Sequence, residues 1–369
     1  MVPVLIGGAA LITGLFGGKK FMDASDNNEL AEVIRQEAID YYNESKSKME
    51  EQRDHTNNTL EELGKARVIA WGGEMKHFLE IYKKFNFDKK ELSDVGNSLS
   101  IDLSDVINQD NPIESLEDMQ KLSLSANEML QQGFGSLAAG TLSGIAAYGG
   151  VGALATASTG TAIGTLSGAA ATNATLAWLG GGSLATGGLG IAGGTAVLGG
   201  VVLGPVLAVA GIFSASKSEK NLAEAKAWAE DVVQKTEQIN NITSDLHKIA
   251  KICTNYICSI EKQIEHFKQV NAVLENIYDS AYEKANEGLW AKILNFFGWK
   301  AKIKPANLTE EDRNRLKIVW LEAQIFQQIL TQNIMDEQGS PDDDAEKVLE
   351  AGEGKLGVLS DSHLSNVFY

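Results

Sequence analysis

Apolar residues recur along this chain in steps of three and four, the period of an amphipathic helix, and runs alternating every second residue are nearly absent. The clearest stripe lies within Ser218–Ala285: Val232, Thr236, Ile239, Ile242, Leu246, Ile249, Cys253, Tyr256, Ile260, Ile264, Phe267, Val270, Leu274, Ile277 and Ala281. Its mean period is about 3.5, sustained for about seven heptads without Gly or Pro, which is the pattern of a helix packed along a partner helix. Such a helix extends about 100 Å, so its partner is either the N-terminal helix of the same chain or a neighbouring subunit. Asn28–Leu63 carries a second, weaker stripe of Ile34, Ala38, Tyr41, Ser45, Met49, Leu60 and Leu63. Gly64 weakens its continuation and Gly72-Gly73 is expected to break it. A short amphipathic helix over Glu74–Phe85 follows, with Phe78, Leu79, Tyr82 and Phe85 on one side. Residues 94–113 are rich in Asp, Asn and Ser, contain Pro112 and read as a loop; Leu116–Leu130 is helical again. Pro305 ends a further piece. Thr309 then caps a helix whose first turn holds Glu310, Glu311 and Asp312 and whose apolar face is Leu316, Val319, Trp320, Phe326, Leu330 and Ile334. The acidic, Gly-containing tail from Gly339 is expected to be mobile. The fold class is all-α: an elongated helical bundle or coiled coil around a different kind of central region.

That region is a run without charge. From Met129 to Ser216, about 88 residues, there is no Asp, Glu, Lys or Arg, although 22% of the chain is charged. A bilayer-spanning helix takes about 20 apolar residues, so the run has room for two to four spans. Breaks are expected at Thr156–Thr159, Asn173 and Gly180-Gly181-Gly182, leaving Phe134–Ala155, Gly160–Leu179 and Leu184–Phe213 as inserting segments. Pro205 would kink the last, and Trp178 sits where an interfacial aromatic is placed beside a turn. Small residues fall four apart at Gly140 and Gly144, at Gly160, Gly164 and Gly168, at Gly190 and Gly194, and at Gly200 and Gly204. In lipid, helices associate through close backbone approach along such faces. Gly costs about 1 kcal/mol relative to Ala in a water-exposed helix, whereas in lipid the backbone has no other hydrogen-bond partner and helix prevails. The same residues are therefore pliable in water and helical in a membrane. A tightly packed soluble hairpin and a Gly-rich linker are the structural alternatives; the richness in Leu, Ile, Val and Ala argues against a linker.

Composition narrows the partners. The chain has 369 residues, a formal charge of −17 and a pI near 4.8, which argues against nucleic acid, since phosphate binding relies on clustered Lys and Arg. Cys253 and Cys258 are five apart on one helix, point to different faces and read as small packed side chains rather than a disulfide or zinc site. Val2–Gly18 is apolar and followed by Lys19 and Lys20, without the basic start of a secretory signal. A short anchor, a peripheral segment and a buried core helix all fit it.

Catalytic chemistry finds no foothold. Gly188-Leu-Gly190-Ile-Ala-Gly193 matches G-x-G-x-x-G, but no strand precedes it and the next carboxylate is Glu219, too distant to hold a ribose. The phosphate-loop pattern is missing at Gly18-Lys19-Lys20, and the five His form no H-E-x-x-H. Adjacent pairs such as Glu61-Glu62 and Glu310-Glu311 point apart on helices. The expectation is no catalytic residue, cofactor or metal. Leu289–Lys304 interleaves Trp290, Ile293, Leu294, Phe296, Phe297 and Trp299 with Lys292, Lys300, Lys302 and Lys304. It describes either an amphipathic segment resting in lipid headgroups, with Trp290, Phe296, Phe297, Trp299, Lys300 and Lys302 as its contacts, or an aromatic corner between helices.

The order of amphipathic helix, long Gly/Ala-rich apolar segment and long heptad helix, over about residues 28–285, resembles the α-helical pore-forming proteins of the cytolysin A and tripartite-enterotoxin type. The four-residue glycine spacing is similar to the membrane region of apolipoprotein L-like proteins. The resemblance is architectural and implies a helical bundle that hides a hydrophobic hairpin until insertion and oligomerisation. Its longer, Gly-richer block and the missing export signal favour an intracellular membrane-acting protein with a cytoplasmic body, secretion staying open. The expected organisation is an apolar segment 1–20, a charged helical region 21–128, the glycine-zipper region 129–216, the heptad helix 217–288, the aromatic/basic segment and a further helix 289–338, and the tail 339–369. The expected function is non-enzymatic: an oligomerising protein that permeabilises or remodels a bilayer, with lipid and a further copy or a helical protein as partners. The alternatives are a constitutively anchored coiled-coil scaffold and a soluble helical interaction protein.

Overall fold

A computed structural model describes residues 27–85, 112–137, 141–149, 222–286, 303, 308–336 and 339–364. These residues are overwhelmingly helical and contain no strand, so the all-α fold class holds. They comprise α1 (Asn27–Ala70), a π-helical turn (Trp71–Met75), α2 (Lys76–Tyr82), a 3-10 turn (Lys83–Phe85), α3 (Pro112–Gln132), a 3-10 turn (Phe134–Ser136), α4 (Thr141–Ala147), α5 (Leu222–Asn286), α6 (Glu310–Thr331) and α7 (Ala345–Leu364). They divide into two compact units, the first holding 27–58, 222–250 and 339–341 and the second the rest. Both α1 and α5 contribute to each.

In the first unit α1 supplies Ile34, Ala38, Tyr42 and Met49 and α5 supplies Ala229, Val232, Val233 and Ile239 to one apolar cluster. The long stripe of α5 is thus covered here by the N-terminal helix of the same chain. Tyr41 donates to Glu237 Oε1 at 2.5 Å and accepts from Asn240 Nδ2 at 2.9 Å. Farther along, the Thr56 hydroxyl lies 3.0 Å from the Leu246 carbonyl. Partner positions advance together, so the two helices run parallel and are not the arms of one hairpin. Burial, reinforced by the Glu237 carboxylate, pushes the Tyr41 phenol up to about 12.

The same parallel sense appears within the second unit, where Asn271 Nδ2 donates to the Glu74 carbonyl (3.1 Å) and carboxylate (2.9 Å) and His77 meets Glu275 at 3.1 Å. All members of the α5 stripe are buried except Ile242, Leu246, Ile264 and Ala281, which are half-buried. A fully buried aliphatic side chain stabilises by about 1.5–3 kcal/mol, so this stripe is the main source of cohesion. An aromatic cluster joins α2, α5 and α6: Tyr82 stacks on Trp320 (centroids 5.0 Å apart) and Phe267 on Phe326 (5.2 Å), with Phe78 edge-on to Phe267 (5.7 Å). Such pairs add about 0.5–1.5 kcal/mol beyond their burial.

Three sequence expectations are corrected. The glycines of α1 do not end the helix: α1 runs through Gly64 to Ala70 and passes by the π turn into α2. A Cβ on Gly64 would sit 2.1 Å from the Leu142 carbonyl oxygen, and one on Gly72 2.9 Å from the Ala126 carbonyl carbon. Close backbone approach at these points offsets the helix penalty of about 1 kcal/mol per Gly. Secondly, residues 339–364 of the tail are not a mobile acidic segment but lead into and form α7. Asp342 accepts from the Asp344 N–H at 2.9 Å in a turn just before α7, so the acidic cluster stands at the start of that helix, where negative charge is favourable. Ala345, Leu349, Leu356 and Leu359 are buried, Gly352 abuts Ile329, and Tyr256 donates to the Ala345 carbonyl at 2.7 Å. Thirdly, the described part of Phe134–Ala155 is not one helix. Gly133, at φ 80°, stops α3, and a 3-10 turn, the seven-residue α4 and a second reversal at Gly149 follow.

The N-cap at Thr309 is as expected: its Oγ1 accepts from the Asp312 N–H at 3.1 Å while its hydroxyl donates to Asp312 Oδ2 at 2.6 Å. The apolar face Leu316, Val319, Trp320, Phe326, Leu330 and Ile334 is buried. Among the described residues no helix is long and apolar enough to cross a membrane. The segments Gly160–Leu179 and Leu184–Phe213, the N-terminal residues 1–20 and all of Leu289–Lys304 except the buried Ile303 lie outside the described residues.

Gly64 on α1 and Gly354 on α7 have opposite roles, and substitution separates them. Gly64→Ala is expected to destabilise the protein by about 2 kcal/mol or more, because backbone must move. Gly354→Ala, on α7 with nothing within 4 Å of the added carbon, is expected to stabilise by about 0.5–1 kcal/mol. Urea unfolding followed by far-UV circular dichroism reads both.

Candidate functional site: the seat of the uncharged segment

The start of the uncharged run is seated in the second unit. Every residue of α4, Thr141 to Ala147, is buried. A helix buried on all sides needs neighbours that come close to its backbone, and α1 provides one. Gly64 and Arg67 are three apart on α1 and share a face. Gly64 admits the Leu142 carbonyl against the helix, and Arg67 reaches from the next turn to the end of α4.

The Arg67 guanidinium is fully buried. Nη1 donates to the carbonyls of Ile145 and Ala146, both at 2.9 Å, and Nη2 to the carbonyl of Gln332 at 2.7 Å. Gln332 is the residue just past α6. The guanidinium therefore holds the carboxyl ends of two helices, where carbonyls lack helical partners and the macrodipole is negative. Beside it, Ala147 accepts from the N–H groups of Ile334 (2.8 Å) and Met335 (3.2 Å), and Tyr148 forms an antiparallel bridge with Asn333. Gly149 then turns the chain at φ 69°, so close to α6 that a Cβ would lie 1.8 Å from the Thr331 carbonyl oxygen. Only Gly meets both demands.

The electrostatics are unusual. The Arg67 guanidinium carbon lies 5.8 Å from the centroid of the Tyr256 ring, and among the described residues no carboxylate comes within ion-pair distance of it. Among the described residues the other fully buried charged one, Glu322, has His266 Nε2 3.3 Å away. Burial pushes the Arg67 pKa down to about 10, which still leaves it charged at neutral pH. Burial pushes the Cys253 thiol up to about 12 and raises the Tyr256 phenol, in both cases against the pull of Arg67. Neither is an anion at neutral pH, so carbonyl dipoles and the Tyr256 ring are what compensate the charge.

Of the glycines singled out for membrane-helix packing, Gly144 lies within α4, its carbonyl accepting from the Tyr148 N–H at 3.1 Å. Gly140, Gly160, Gly164, Gly168, Gly190, Gly194, Gly200 and Gly204 lie outside the described residues, as do Trp290, Phe296, Phe297, Trp299, Lys300 and Lys302. Sequence reasoning missed Gly64, Arg67 and Gly149. The signal for Arg67 was available: it stands four residues after Leu63, in the apolar stripe of α1, where a solvated Arg has no place. Among the described residues no group of His, Cys, Asp and Glu is arranged to hold a metal ion. Comparison with known proteins finds no matching family, no curated relative and no similar solved structure.

Removing the guanidinium strands three buried carbonyls, so Arg67→Met is expected to lower stability by about 2–4 kcal/mol, read as a lower urea midpoint. Reactivity at the neighbouring thiol is a second check. With Cys253 raised to about 12 and buried, and Cys258 exposed, iodoacetamide at pH 8 is expected to label Cys258 alone, as mapped by peptide mass spectrometry. The linkage has a definite sign: the stability associated with the raised Cys253 pKa is complete below the unfolded thiol value of about 8.5 and is lost as pH rises toward 12.

Proposed function

We propose that this chain is a non-enzymatic helical protein that inserts residues 134–213 into a bilayer, oligomerises through its heptad helices and permeabilises or remodels that bilayer. The observation that carries the reading is the charge-free run from Met129 to Ser216, with glycines four apart, joined at both ends to charged helical sequence. Inserted segments would pack on Gly140, Gly144, Gly160, Gly164, Gly168, Gly190, Gly194, Gly200 and Gly204. Leu289–Lys304 would rest in the headgroups through Trp290, Phe296, Phe297 and Trp299, with Lys300 and Lys302 on the phosphates. The body would stay on the cytoplasmic side, with the long helix as the assembly surface for further copies or a helical partner. The buried seat of α4 supports a conditional version of this reading, since part of the run is packed against protein in the conformation described.

A constitutive scaffold is the second reading. Lys19-Lys20, Lys217, Lys220 and Lys226 flank apolar segments as cytosolic flanks do under the positive-inside rule.

Dye-loaded liposomes distinguish the two. Protein expressed without detergent is expected to float with the vesicles and to release the dye; flotation without release would favour the scaffold, and neither would remove both. Gly164→Leu/Gly200→Leu is expected to cut release at least tenfold while circular dichroism of the helical body stays unchanged. Equal release would refute packing on the glycine faces.

A further inference from the structure

We propose that Arg67 is the latch of a two-state element, holding the first turns of the uncharged run in the body by occupying the hydrogen-bond acceptors that a membrane-crossing helix through the same residues requires. The proposal rests on the insertion reading above and adds its control.

The argument is a competition for three carbonyls. A continuous helix through residues 141–155 pairs the N–H groups of 149, 150 and 151 with the carbonyls of 145, 146 and 147. In the seat, the first two carbonyls accept from Arg67 Nη1 and the third from the N–H groups of Ile334 and Met335. Nη2 of the same guanidinium ties this arrangement to α6 through Gln332. Both sets of bonds cannot be complete together, because Gly149 at φ 69° turns the chain away from the helix axis. In hydrocarbon an unpaired backbone group is too costly to tolerate. Residues 141–149 are thus either seated or inserted. Gly149 takes the left-handed conformation in the first state and adopts the helical one in the second without penalty, so the switch needs no covalent change. The gate is one planar fork: Lys keeps the charge but lacks the geometry to hold three carbonyls on two helices.

The Tyr148–Asn333 bridge gives a place to lock it. The flanking bond from Ile334 N–H to the Ala147 carbonyl is that of a non-hydrogen-bonded antiparallel pair, in which facing side chains are closest and a disulfide is readily formed. In a Cys253→Ala/Cys258→Ser parent, Tyr148→Cys/Asn333→Cys is expected, when oxidised, to release dye from phosphatidylcholine/phosphatidylglycerol vesicles at least tenfold more slowly than the parent, and to recover the parental rate with dithiothreitol. Arg67→Lys, with far-UV circular dichroism like that of the unmodified protein, is expected to speed release at least threefold. A locked form that leaks as fast as its reduced form, or an Arg67→Lys variant that leaks no faster than the unmodified protein, overturns the latch alone. A parent that neither floats nor leaks overturns the insertion reading and the latch with it.

Discussion

A positive charge sealed among three helices, with no carboxylate to balance it among the described residues, is the constraint around which the second unit is arranged. Arg67 is tolerable there because the carboxyl ends of α4 and α6 both point carbonyls at it. Each helix end would otherwise bury unpaired acceptors, and the guanidinium would otherwise bury Nη1 and Nη2 unpaired as well as Nε, which has no partner among the described residues. The arrangement places several demands on the surroundings. Gly64 must be bare so that α4 comes near enough. Tyr256 must offer its ring face, and Gly149 must turn where no other residue fits. These requirements concern one small volume, so a change at any of them is felt by the others.

Around that volume the cohesion is ordinary. A heptad stripe on α5 is covered by α1 in the first unit and contributes to the aromatic core with α2 and α6 in the second. Leucine and isoleucine burial is non-directional and supplies most of the stability, but it does not choose where a seven-residue helix docks. The polar contacts make that choice, since they are satisfied in only one register. Here hydrophobic burial sets how strongly the body holds together, and hydrogen-bond geometry sets where α4 docks on it.

The uncharged run itself is poised by composition. Its Gly, Ser and Thr residues form helices weakly in water, whereas a backbone in lipid has no hydrogen-bond partner but itself. At its start the same residues serve the body instead, because small side chains let α4 be buried on every side. The features that suit a membrane interior, namely small volume, absence of charge and a backbone that packs closely, also suit a tight protein interior. In the proposed latch, what separates the two environments is the partner offered to the carbonyls of 145–147: a guanidinium and two amides in the seat, the helix's own amides in the membrane.

Much of the architecture was legible in periodicity. The α5 stripe and its need of a partner helix, the capped start of α6 and its apolar face follow from the spacing of apolar residues and from Thr309 with Asp312, because helix period and capping are local properties; that the partner in the first unit is α1 rather than a neighbouring subunit comes from the structure. The glycines were misread for the same reason. Local propensity makes Gly64 and Gly72 helix breakers, whereas they are points where another backbone presses in, and nothing within their own segments reveals that neighbour. The Asp run before Ala345 likewise reads as solvated tail until it is seen to form the turn that leads into α7, although buried positions 345, 349, 352, 356 and 359 already carried the heptad spacing. By itself, then, the sequence determined an all-α chain with a charge-free central run, since those depend on residue type and period alone. Only the tertiary structure decided that the run begins inside the body, held by Arg67, because that contact joins residues 78 and 265 positions apart in the chain and depends on two helix ends meeting α1 at one point.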